Sequence, residues 1–159
     1  MKIAVATDHA GYVLKEIVVD TIERLGHTPI DFGTDSEESV DYPDFAEKAG
    51  NAIVQGEADR AVVICGSGVG VCIAGNKING VYACLCHDTY SAAQGVEHDH
   101  MNMLCLGGRV IGTALAAKIV EAFVTAIPSD DPRHLRRVGK VRSIEEREMK
   151  GKGNNEQCC

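Results

Sequence analysis

Short apolar runs alternate with longer amphipathic stretches along this chain. Ile3-Ala4-Val5-Ala6-Thr7 reads as a strand, closed by Asp8-His9-Ala10-Gly11. Val13, Leu14, Ile17, Val18, Ile22 and Leu25 recur at helical spacing, which predicts a helix over Tyr12–Leu25 stopped by Gly26. Thr28–Phe32 is a second strand, followed by a polar, acidic loop from Gly33 to Asp41. A second helix opens at Tyr42-Pro43, with its proline in the first turn, and runs to about Gln55-Gly56. Arg60–Ile64, Val81–Cys86 and Met103–Leu106 read as three further strands. Helices are predicted after each of them: from about Val71, over His87 to His100, and over Gly112–Ile127. Pro128-Ser129-Asp130-Asp131-Pro132 breaks the pattern, and a charged helix is expected from Arg133 to about Lys150.

Five strands alternating with helices predict an α/β fold: a Rossmann-like, doubly wound, parallel five-stranded sheet in an α/β/α sandwich, with an extra C-terminal helix. Residues 1–150 are expected to form one domain, and 151–159 a disordered tail. In such sheets ligands sit beyond the carboxyl ends of the strands, where strand order reverses. The residues to inspect are therefore Asp8-His9, Cys65-Gly66-Ser67, His87-Asp88 and Gly107-Gly108-Arg109.

Composition narrows the class. A chain of 159 residues with 45% hydrophobic content can bury a full core without staples. No apolar run approaches a membrane span, and no secretory signal is evident, so a cytoplasmic, membrane-free protein is expected. Seven cysteines are many, and most of them lie in or beside apolar runs as small hydrophobes. A net charge of −7 argues against a nucleic-acid partner. Against that background, Arg133, His134, Arg136, Arg137, Lys140 and Arg142 make a local cationic run with no acid among them. It is either a solvated helix face or a site for a small anion.

The most informative stretch is Cys65-Gly66-Ser67-Gly68-Val69-Gly70. A strand passing through a glycine turn into a helix gathers backbone N–H groups at one point, with the helix dipole behind them. That point suits a phosphate or a developing oxyanion, and a thiol at its edge suits proton transfer or attack. A dinucleotide fingerprint fits poorly, because Val71 stands where the third glycine belongs. Asp8-His9 reads as a helix cap with a surface histidine or as a ligand contact. His98-Asp99-His100 has two histidines two apart but lacks the partners of a metal site. Arg133 and Arg137 share a helix face and, with Arg109, could clamp a phosphate.

Taken in order, Thr7-Asp8-His9-Ala10-Gly11, Ser39-Val40-Asp41-Tyr42-Pro43-Asp44-Phe45, Cys65 to Gly70, Asn76-Lys77, Gly108-Arg109-Val110-Ile111-Gly112, and Arg133-His134 with Arg137 resemble the ribose-5-phosphate isomerase B family, which also holds the galactose-6-phosphate isomerase subunits. The resemblance implies a metal-free, cofactor-free aldose–ketose isomerase acting on a sugar phosphate, ribose 5-phosphate to ribulose 5-phosphate, through a cis-enediolate. It makes Cys65 the base and His98 the acid that opens the sugar ring. The amides of Gly66, Ser67, Gly68, Val69 and Gly70 become the anion hole. Asp8 and His9 become sugar contacts, Tyr42 a pocket wall, and Arg109, Arg133 and Arg137 the phosphate clamp. It also implies a homodimer or homotetramer with a shared active site. One departure stands out: Asp99 occupies the place of a substrate-binding amide. A carboxylate there repels an anion, which opens the reading of a tetrose or hexose phosphate, or a related sugar. A non-catalytic sugar-phosphate-binding module is the reading of another class.

Overall fold

The computed structural model describes residues 1–152, with side chains through residue 148. Five strands, β1 (Lys2–Thr7), β2 (Thr28–Asp31), β3 (Arg60–Cys65), β4 (Ala83–Leu85) and β5 (Met103–Gly107), form one sheet in the order β2-β1-β3-β5-β4. Every pairing is parallel. The helices are α1 (Lys15–Arg24), α2 (Tyr42–Val54), α3 (Val69–Gly75), α4 (Thr89–Asp99), α5 (Thr113–Thr125) and α6 (Pro132–Lys152). The Rossmann-like α/β/α class expected from the alternation is the one observed. No helix among the described residues is long and apolar enough to cross a membrane.

Period-two alternation divides the core between the two faces of the sheet. Ile3, Val5, Val62, Ile64, Leu104 and Leu106 pack against α1, α4 and α5. Ala4, Ala6, Ala61, Val63, Met103 and Cys105 face α2 and α3. The second face is built largely of alanine, including Ala46, Ala49 and Ala52 of α2, so α2 lies close to the sheet. α6 adds little to either core. It packs on α4 through Val138 and His134, and Glu145 accepts hydrogen bonds from Gly80 N and the Tyr82 hydroxyl at 3.1 Å each. It runs to Lys152, past the expected domain end at 150, and 153–159 of the expected tail, with Cys158 and Cys159, lie outside the described residues.

Three boundaries differ from expectation for local reasons. The first helix begins at Lys15, because Tyr12–Leu14 form a tighter 3-10 turn in which Leu14 N donates to Gly11 O. β2 ends at Asp31, where the Asp31 side chain takes the Gly33 amide at 2.8 Å. β4 starts at Ala83 rather than Val81, because Tyr82 N donates to the Asn102 side chain at 2.7 Å and leaves the ladder.

Arg60 is a buried cation at the amino edge of the sheet. Its guanidinium donates to the carbonyls of Phe123, Val124 and Ala126 and so closes the C-terminal end of α5. Arg60→Leu removes the donors and leaves those carbonyls buried without partners. Chemical denaturation should show a loss of about 2–3 kcal/mol, and an unchanged midpoint would refute this role.

Candidate active site

The chain steps outward from β1 to β2, and α2 then returns it across β1 to β3 on the other side. That reversal opens a crevice at the carboxyl ends of β1 and β3. The register sets its depth: Thr7 lies beside Ile64, and Cys65 beside Gly107. Three loops therefore meet at one level. A cleft of about 550 Å³ is lined there by Asp8, His9, Ala10, Tyr42, Cys65, Gly66, Ser67, Val69, Gly70, Arg109 and Val110.

The meeting is close. A Cβ at Gly108 would stand 2.5 Å from the Ala10 carbonyl oxygen, so only glycine lets the third loop pass the first. Gly108 N and Arg109 N donate to the carbonyls of Cys65 and Gly66, which tie the third loop to the second. Gly68 caps α3 with φ of +78°, a left-handed conformation open to glycine at no steric cost. That conformation aims the Gly68 amide back at the Cys65 sulfur, 3.1 Å away. Cys65 is 5% exposed, and it holds the only thiol among the residues lining this cleft. An N–H aimed at a sulfur complements negative charge there.

Of the five amides expected to form the anion hole, two have partners within the chain. Gly68 N is engaged with Cys65, and Val69 N donates to the Ser67 hydroxyl at 3.3 Å. Gly66, Ser67 and Gly70 have amides with no protein acceptor among the described residues. Asp8 closes the turn ahead of the first helix rather than capping the helix itself: one carboxylate oxygen accepts from Ala10 N and Gly11 N at 2.9 and 2.8 Å, while Gly11 holds the cap position with no side-chain bond. Asp8 also lines the cleft. Tyr42, at the first turn of α2, lays its ring against Gly70.

The other predicted residues are not brought to Cys65 within the chain. α4 leaves the carboxyl edge after β4 and carries His98 roughly 15 Å back to the amino edge. There His98 stacks on His134 with ring centroids 3.9 Å apart, and Arg133 donates to His134 at 3.1 Å. Burial first, and then the neighbouring His98 and Arg133, lower the His134 pKa below the usual imidazole value, and the His134 ring nitrogen orients the Arg133 guanidinium. Arg133 is also 3.6 Å from Asp131. Arg137 is exposed one turn further along α6. Asp99 is exposed and borders a separate recess lined by Cys84, Cys86 and Gln94. Within one chain, Arg109 on the one side and Arg133 and Arg137 on the other thus stand in two clusters on opposite edges of the sheet.

Two contributors escaped sequence reading. His87 accepts the Gly107 amide at 3.0 Å and steadies the third loop; its strand-end position had marked it for inspection, with no role attached. Val40 donates its backbone amide to His9 Nδ1 at 3.2 Å, and no residue type announces such a contact. Among the described residues no group of three His, Cys, Asp or Glu side chains is arranged to hold a metal ion.

The cysteines are more varied than small core hydrophobes. All five described are free thiols; Cys65, Cys86 and Cys105 are buried, Cys72 is half-buried and Cys84 exposed. A hydrogen bond from the Cys105 thiol holds the Cys72 pKa down to about 6, while Cys105 is pushed up in return. Iodoacetamide labelling of Cys72 should therefore rise through a midpoint of about 6 as pH increases. A midpoint above about 8, the ordinary thiol range, would contradict that hydrogen bond.

Fold and cleft together define an α/β protein with a switch-point site for a small molecule. The sequence model of the family described as Ribose/Galactose Isomerase matches residues 3–141. Ribose-5-phosphate isomerase B of Escherichia coli (strain K12) is 44% identical over 147 residues, covering 92% of this chain and 97% of that protein. D-erythrulose-4-phosphate isomerase of Pectobacterium atrosepticum is 39% identical over 127 residues, covering 79% and 84%. The structure of ribose-5-phosphate isomerase B of Clostridium thermocellum superposes with a TM-score of 0.88 at 46% identity, covering 92% of this chain and 99% of that one. The chain belongs to the ribose/galactose isomerase family, and its class is that of the sugar isomerases.

Proposed function

We propose that this chain interconverts ribose 5-phosphate and ribulose 5-phosphate through a cis-enediolate, with Cys65 as the base. The observation that carries the reading is the Gly68 amide aimed at a buried cleft thiol beside three unengaged amides. Cys65 takes the proton from C2 of the open-chain aldose. Negative charge then develops on the oxygens at C1 and C2. Cys65 returns a proton to C1, the C1 oxygen takes up a proton to become a hydroxyl, and the C2 oxygen, having given up its hydroxyl proton, becomes the ketose carbonyl. The amides of Gly66, Ser67 and Gly70 face the developing oxyanion, each worth roughly 3–4 kcal/mol in a preorganised site. Asp8 accepts from sugar hydroxyls, and Arg109 holds charge at the cleft mouth.

The cleft of one chain lacks two things this chemistry needs: an acid to open the furanose ring and a full phosphate clamp. Both lie in the His98, Arg133 and Arg137 cluster on the opposite edge. We infer that a second copy supplies them. Exposed apolar side chains on α3 (Val69, Ile73) and α6 (Val141, Ile144) give such a copy a surface to bury. A second reading keeps the chemistry and changes the sugar. Asp99 favours it, as does the likeness to a relative named for D-erythrulose 4-phosphate.

The deciding experiment measures conversion of tetrose, pentose and hexose phosphates with a chelator present. Preference for ribose 5-phosphate is expected. Preference for a tetrose or hexose phosphate would select the second reading, and binding without turnover across the panel would reject both.

A further inference from the structure

The acidic segment between β2 and α2 crosses to the cleft with few ties. Its near end is well held: Thr34 N donates to Thr7 O, and Lys15 donates to the Thr34 carbonyl and pairs with Asp31 and Asp35. Beyond Ser36 the ties stop. From residue 37 to 41, one hydrogen bond reaches the body of the protein among the described residues, Val40 N to His9 Nδ1 at 3.2 Å. The next residue is Tyr42, whose ring forms the wall over Gly70.

That bond also constrains His9. An imidazole nitrogen that accepts an N–H carries no proton itself, so a neutral ring bonded this way is protonated at Nε2. A cationic ring would set an N–H at Nδ1 against the Val40 N–H and break the contact. Nε2 has no partner within the described chain, and His9 lines the cleft beside Asp8. Asp8 accepts and Nε2–H donates, which together match a hydroxyl of a polyol or an enediolate oxygen.

We propose that the Val40 backbone amide is a positioning group. It fixes the proton of His9 on Nε2, so that His9 offers substrate a neutral N–H donor, and the same bond seats residues 37–41 and Tyr42 on the cleft. The inference rests on the isomerase reading for its kinetic consequence, but the tautomer and the seating are measurable without turnover.

The test uses the full chain and two substitutions that separate the ring nitrogens. In His9→Asn the side-chain oxygen takes the place of Nδ1 and can accept from Val40, while the Nε2 donor is lost. His9→Gln offers an amide N–H near the Nε2 position and cannot accept at Nδ1. Nitrogen-15 spectra of the wild type at neutral pH should show His9 protonated at Nε2 and bare at Nδ1. The Val40 amide should exchange with solvent at least ~10-fold more slowly than Ser39 in the wild type and in His9→Asn, and lose that protection in His9→Gln. With ribose 5-phosphate, kcat of His9→Asn should fall about 100-fold, the cost of one lost donor. His9→Gln should instead show mainly a raised KM. A His9 proton on Nδ1, or Val40 exchange equally fast in the wild type and His9→Gln, would overturn the proposal. Absence of turnover on every sugar phosphate would reject the isomerase reading and leave the tautomer result to stand or fall by itself.

Discussion

Cys65→Ala should lower kcat on ribose 5-phosphate by about 10³-fold, in the range removed with a positioned general base, and leave KM within about threefold. Among the described residues the sulfur is the only thiol lining the cleft, it is buried, and it faces the Gly68 amide. Removing one sulfur from the end of β3 leaves the three loops and their amides in place, so substrate should still bind. Steady-state rates together with direct binding of the sugar phosphate check this. A variant that turns over at the wild-type rate would remove Cys65 from the mechanism, whereas one that fails to bind would move its role from proton transfer to shape.

The second large effect concerns the cluster on the far edge of the sheet. His98→Asn should be as inactive as Cys65→Ala on the cyclic sugar, yet the two inactive proteins, mixed under conditions that exchange subunits, should recover activity. If one copy's His98, Arg133 and Arg137 complete the cleft of another, each mixed dimer holds one site with both native halves. Random exchange then restores about a quarter of the wild-type activity. No recovery after confirmed exchange would place all the working residues in one chain, against the roughly 15 Å that α4 puts between the clusters. Recovery would also explain why Arg133 and Arg137 stand exposed on α6 in a single chain while His134 is buried and orients Arg133.

Much of this organisation was legible in the sequence because its signals are local. Apolar runs such as Ala61–Cys65 and Met103–Leu106 are bounded by polar or glycine residues, and they emerge as inner strands of the sheet. The strand-end rule then pointed to Asp8, Cys65 and Arg109, which do share a cleft. The edge strand was read too long, because the Asn102 side chain takes the Tyr82 amide, a long-range contact that no periodicity reveals. His98 was a different kind of difficulty. Its residue type was informative, but its place follows from the direction of α4, which returns it to the amino edge. Spacing in sequence could not show that the proposed site residues fall into two clusters within one chain. The Val40 amide was beyond reach altogether, since every residue except proline carries the same donor.

Proton transfer by Cys65 is tested most directly with deuterium. Ribose 5-phosphate is converted in heavy water with a chelator present, by the wild type and by Cys65→Ala, and C1 of the product is examined for label. The wild type should give ribulose 5-phosphate carrying solvent deuterium at C1, and turnover by the variant should be close to absent. Undiminished turnover by Cys65→Ala, or a wild-type product with no solvent label, as a hydride shift would give, would contradict proton transfer by Cys65.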